Sequence, residues 1–212
     1  MRSGRESRWP EATQERASEI VARYPERRSA LMALLYLAIA EDGRLTDEGV
    51  EEAARWAGIT PAQAQSVAGF YTMYKRESVG KYLLSCCTSI SCMLLGGDDV
   101  LSAAEDEAGS SGGAPGDDGL VSVEHVECIG ACGGAPAVQV NYELIEGVTP
   151  EKTRELVRWL RRSRPEVVNT DEMQELFGGA RSFDWAIREE VGAVGPCPAF
   201  QPLGTAGKER AS

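Results

Sequence analysis

Four of the six cysteines of this chain fall into two close pairs, and no other feature of the sequence constrains its fold as tightly. Cys87 and Cys92 are separated by four residues, Cys128 and Cys132 by three, and each pair stands where a candidate strand gives way to a loop. Neighbouring strands of one sheet bring their ends together, so this placement predicts four thiols facing one point. Three chemistries use four thiolates: a structural zinc, an iron-sulfur cluster and a pair of disulfides. Disulfides call for a short chain in an oxidising compartment, and neither is indicated. A thioredoxin-type C-x-x-C is absent. Zinc pairs tolerate two to four intervening residues but favour two. A 2Fe-2S cluster is wider than one ion and accommodates a four-residue gap. The spacing therefore favours the cluster, with a zinc-stapled binding module as the alternative.

The adjacent pair Cys86-Cys87 raises the question of which thiol is used. Only Cys87 has the four-residue gap to Cys92, and successive side chains of a strand point to opposite faces. Cys86 is therefore expected in the core. Around the second pair, Gly130, Gly133 and Gly134 would let backbone N–H groups approach cluster sulfurs. The single histidine, His125, reads as an ordinary sheet residue, since a Rieske-type centre needs two.

Along the chain, the first third reads as three or four short helices. Ser29 to Ala40 is an apolar segment closed by Asp42-Gly43, and Thr46 caps a helix through Trp56. Thr60-Pro61-Ala62-Gln63 is a capping box, followed by Val67, Phe70, Tyr71 and Tyr74 as an expected apolar stripe. Near Gly80 the pattern changes. Strands are predicted at Tyr82 to Cys86, Leu120 to Val126, Ala137 to Val140 and Glu143 to Glu146, the last two joined by an Asn141-Tyr142 turn. Helices are predicted at Ile90 to Leu95, Val100 to Ala108 and after Thr149-Pro150. Gly109 to Gly119 reads as a mobile loop. A small sheet with helices packed on it follows.

A net charge of -11 and a pI near 4.7 argue against nucleic acid as a partner, because a phosphate backbone draws on clustered Lys and Arg. The apolar run Ala30 to Ala40 is far short of the roughly 18 residues that span a bilayer, so no direct membrane insertion is expected. The N-terminal stretch has charge but no apolar core of a signal peptide, which points to a cytoplasmic chain with reduced thiols. Neither a G-x-G-x-x-G turn nor a Walker motif is present, so no nucleotide is expected on this chain. No nucleophile and base can be paired, and no catalytic residue is assigned.

The segments CTSISCMLLGG, ECIGACGGAPAVQVN, GFYTMY and VGKY resemble the thioredoxin-like 2Fe-2S subunit of NADH dehydrogenases, as found in bacterial respiratory complex I (NADH:quinone oxidoreductase). Similar chains serve in the diaphorase parts of NAD-linked hydrogenases and formate dehydrogenases. The resemblance runs from about Glu19 to Arg162. It implies an α+β fold: an N-terminal helical bundle over residues 1–79, a thioredoxin-like 2Fe-2S ferredoxin domain over 80–164, and a C-terminal extension over 165–212. It further implies Cys87, Cys92, Cys128 and Cys132 as ligands of a 2Fe-2S cluster. The implied partner is a larger flavoprotein subunit holding FMN, NADH and a 4Fe-4S cluster, alongside other peripheral-arm subunits at the inner face of the cell membrane. The implied role is one-electron storage beside the flavin rather than a direct place on the path to quinone.

Cys86 has no counterpart among the ligands, Leu95 stands where a basic residue is frequent, and the chain beyond Pro165 lies outside the common core. There Met173 to Phe177 and Trp185 to Val191 are candidate short helices, and Cys197 is not needed as a ligand. Phe183, Trp185, Val191, Val194 and Phe200 are too apolar for a solvated tail. Residues 166–212 are expected to lie along the body or the flavoprotein partner, apart from the electron path, so that truncation after Arg164 would spare the cluster.

Overall fold

The computed structural model describes residues 7–183 and 192–196. Trp185, Val191, Cys197 and Phe200 lie outside the described residues. The chain divides into two compact units with the boundary between Ser78 and Val79.

In the first unit, α1 (Glu11–Ala22), a 3-10 turn (Arg27–Ala30), α2 (Leu31–Asp42), α3 (Asp47–Ala57) and α4 (Pro61–Phe70) follow one another. Helix α2 buries Leu31, Leu34, Leu35, Leu37, Ala38 and Ile39, so it forms the centre of the bundle. Its end is set by Gly43 at φ +74°, a left-handed conformation that costs glycine little. Thr46 caps α3 by accepting the Gly49 N–H, and Thr60 and Gln63 complete the capping box of α4. The expected stripe of α4 differs. The helix stops at Phe70, which is 79% exposed, and Tyr71 is exposed too. Tyr74 is buried, beyond the helix, with its hydroxyl donating to Met32 O at 3.1 Å. A turn carries it inward, and the helical period does not. Helix α1 has no apolar stripe to announce it: its buried side chains are Thr13, Ala17 and Ile20.

The second unit contains β1 (Tyr82–Cys87), α5 (Ile90–Leu94), α6 (Gly97–Ala108), β2 (Val121–Val126), a 3-10 turn (Cys132–Gly134), β3 (Ala137–Val140), β4 (Glu143–Glu146), α7 (Pro150–Ser163) and α8 (Thr170–Phe177). The sheet order is β2-β1-β3-β4, with β1 parallel to β2 and antiparallel to β3. Asn141 and Tyr142, at φ 51° and 72°, turn β3 into β4. Asn141 suits this because its short amide tolerates the left-handed region, and its Oδ1 accepts the Leu83 N–H at 2.8 Å.

One core joins Leu84, Val100, Val123, Val138, Ile145, Leu156 and Leu160. Helices α6 and α7 pack on each other and on β2, and α8 packs on β4. The segment past residue 164 takes part in this core. Val168, Met173 and Phe177 are all buried in it, and Asn169 caps α8 by accepting from the Asp171 and Glu172 N–H groups.

The Gly-rich loop is tied down rather than free. Gly113 N–H donates to Val123 O at 2.8 Å, Gly116 N–H donates to Val121 O at 2.9 Å, and Val123 N–H donates to Ser110 Oγ at 2.8 Å. Gly116 comes so close to α6 that a Cβ on it would stand 2.5 Å from Ala108 O. These bonds pair the loop with the edge of β2. No helix among the described residues is long and apolar enough to cross a membrane.

Candidate metal centre

Because β1 and β2 run parallel with Cys87 opposite Val126, their C-terminal ends lie side by side. The loops leaving those ends carry the other three cysteines. Cys87, Cys92, Cys128 and Cys132, with Ser89, Ile90 and Ser91, line one open cavity of about 230 Å³. The thiols are unequal in their surroundings. Cys87 and Cys92 are each 3% exposed and pack with Ala131 and Ala137, whereas Cys128 and Cys132 are exposed. Their Sγ atoms are 3.5 Å apart, near the ~3.8 Å edge that two thiolates make on a tetrahedral metal with bonds of about 2.3 Å.

Close packing sets the buried pair. A Cβ on Gly97 would lie 2.8 Å from Cys87 O and 2.9 Å from both Cys92 C and O, so the start of α6 touches the backbone of both cysteines. Ser89 Oγ donates to Glu127 Oε2 at 3.1 Å and links the two cysteine loops. Burial pushes the Cys92 thiol up to about 11, reinforced by Cys87 and opposed by the hydrogen bond from the Ala137 backbone. The Cys128 thiol raises Cys132, against a lowering hydrogen bond from Ser91.

Among the described residues, no three His, Cys, Asp or Glu side chains gather tightly enough to hold one metal ion. The four thiols line one cavity, and four soft sulfur donors are the set that a 2Fe-2S group takes.

Cys86 lies elsewhere. It is fully buried in the main core, and burial, followed by Glu105 and Glu124, drives its pKa well above the usual thiol range. His125 is on the edge strand, with its side chain 54% exposed and Nε2 4.0 Å from Glu127 Oε1, and it does not line the cavity. Sequence reasoning passed over Ser89 and Ser91, although both stand inside the Cys87 to Cys92 gap. It also passed over Glu146, for which no local signal existed.

A sequence model described as thioredoxin-like [2Fe-2S] ferredoxin matches residues 17–161. The chain belongs to this family. A 2Fe-2S cluster is the group its members are named for, and the donor set described above fits it. The NADH-quinone oxidoreductase of Mycobacterium tuberculosis has a subunit, designated E, that is 44% identical over 149 residues, which are 70% of this chain and 59% of that protein. NADH-quinone oxidoreductase subunit 2 of Thermus thermophilus is 40% identical over 146 residues, 68% of this chain and 81% of that protein. The match thus spans 59% of the length of the mycobacterial relatives. A crystal structure of an NAD+-reducing [NiFe]-hydrogenase shares the fold, with a TM-score of 0.56 at 16% identity, covering 69% of this chain and 25% of that one.

Proposed function

We propose that this chain is the 2Fe-2S electron-transfer subunit of an NADH:quinone oxidoreductase, with Cys87, Cys92, Cys128 and Cys132 as the cluster ligands. The observation that carries the proposal is the convergence of those four thiols, and no other cysteine among the described residues, on one cavity at the ends of β1 and β2. The names of the 40% and 44% identical relatives support the assignment to such a complex.

A bound 2Fe-2S cluster takes up and releases one electron at a time, while hydride transfer from a nicotinamide delivers two. The chain's own residues divide the work around it. Cys87 and Cys92, backed by Ala131 and Ala137, hold and dry the inner side. Cys128 and Cys132 hold the side that faces outward. Beside them, Ile90, Leu94 and Leu95 of the α5 segment are 73%, 73% and 62% exposed, an apolar surface of the kind that protein partners cover. The partner in this proposal is an FMN- and NADH-binding flavoprotein, through which the chain joins the complex at the inner face of the membrane.

Anaerobic purification tests the proposal. The chain should carry about two irons and two sulfides, absorb visible light above 400 nm, give an EPR signal on reduction, and oxidise no NADH alone. A colourless, zinc-loaded chain would overturn it in favour of a stapled binding module.

A further inference from the structure

A second cavity, of about 530 Å³, shares Cys132 with the first and is lined also by Ile129, Leu144, Glu146, Ser182 and Phe183. Glu146, the last residue of β4, is only 7% exposed. Its Oε1 accepts two hydrogen bonds from one residue, Ser182: from N–H at 3.1 Å and from Oγ–H at 2.5 Å. The Glu146 backbone is held independently. Its N–H donates to Gln174 Oε1 at 2.8 Å, and its carbonyl accepts from Gln174 Nε2 at 3.0 Å and from Gly179 N–H at 2.8 Å. Gly147 N–H in turn donates to Gly134 O at 2.6 Å.

Glycines let these three segments meet at backbone distance. A Cβ on Gly133 would lie 3.0 Å from Ser182 Oγ, one on Gly134 would overlap the Glu146 side chain, and one on Gly147 would lie 2.7 Å from Ala180 N. The turn that carries Cys132, the end of β4 and residues 178–182 are therefore stacked on one another. Residues 178–183 lie beyond the family match, which ends at 161.

We propose that Glu146 is a positioning residue for Cys132, and that residues 178–183 form a strap, latched to Glu146 by Ser182, that holds the Cys132–Gly134 turn in its cluster-binding position. The inference rests on the cluster assignment above. It gives part of the C-terminal extension a role at the electron centre, where the sequence suggested a place apart from the electron path.

The test uses the complete chain purified with its cluster. Glu146→Leu removes the acceptor at similar volume, and iron loss to a chelator should be roughly tenfold faster or more, because a doubly donated bond to a charged acceptor is lost. The g values of the reduced cluster should shift as well, a change that a uniform loss of stability does not produce. Ser182→Ala keeps one of the two bonds and should accelerate iron loss roughly threefold. Glu146→Gln keeps an acceptor oxygen and should stay within about twofold of the parent. Parent rates and unchanged g values in Glu146→Leu would overturn the proposal, as would a Gln variant as labile as the Leu variant. If Glu146→Leu does not fold, Ser182→Ala decides, and a parent rate there overturns it. A parent chain without iron would count against the cluster assignment instead. The latch is then read from alkylation of Cys132 relative to Cys128 in the metal-free chain, which Ser182→Ala should raise roughly threefold and which, if unchanged, overturns it.

Discussion

Cys86 and Cys87 are neighbours on β1 whose side chains enter different clusters: Cys86 sits with Val100, Val123 and Val138 in the main core, and Cys87 sits with Cys92, Ala131 and Ala137 at the candidate centre. The pleat of a single strand separates a packing thiol from a proposed ligand. Cys87→Ser should therefore abolish or severely reduce iron binding. Cys86→Ser should keep the cluster while costing roughly 1–3 kcal/mol for a hydroxyl placed among apolar side chains. Iron per chain and the reduced-state EPR signal measure both, and equal iron in the two variants would refute the assignment.

Gly97→Ala should disturb two proposed ligands at once. Its Cβ would press on the carbonyl of Cys87 and the carbonyl group of Cys92, at 2.8 and 2.9 Å, and backbone cannot move aside as a flexible side chain can. A substitution at Gly69, where a Cβ meets nothing within 4 Å, is the control. Iron occupancy should fall in the first variant and hold in the second.

Truncation after Arg164 should destabilise the second unit and its cluster, contrary to the expectation from sequence. The cut removes Val168, Met173 and Phe177 from the core and leaves Trp159 without its ring contact to Phe177, at 5.5 Å between centroids. A milder test is Met173→Ala, which should cost about 2–5 kcal/mol, read as a lower urea midpoint with an unchanged slope.

Asp118 supplies a pH dependence. Its pKa is lowered, first by the Leu120 N–H that donates to Oδ1 at 2.9 Å and then by Arg161, whose Nε lies 2.7 Å from Oδ2. A depressed carboxyl contributes stability above its unfolded value near 3.8, and that contribution is lost as pH falls toward the folded value. Solvent screening at this exposed site limits it to below about 1 kcal/mol. Asp118→Asn should lower stability by that amount at pH 7 and flatten the acid limb below pH ~4.

Much of the local structure was written in short stretches. The Thr46, Thr60 and Thr149 caps, the Gly43 stop and the Asn141-Tyr142 turn involve groups within four residues of each other, so they can be read without knowing the fold. The α4 stripe was misread, and the pairing of the Gly109 to Gly119 loop went unseen. In both, a contact distant in the chain, from Tyr74 to Met32 and from Gly113 to Val123, decides what composition cannot.

By itself, the sequence supplied the proposed donor set: four thiols in two pairs, one pair with a neighbouring Cys86 that the period of a strand turns away. Only the tertiary structure decided that one pair is buried and the other exposed, because burial depends on which element covers a loop. It alone brought Glu146 and Ser182, 36 positions apart, against the turn that carries Cys132. Hydrogen bonds across such a distance leave no trace in local periodicity, since neither residue needs a patterned neighbour to form them.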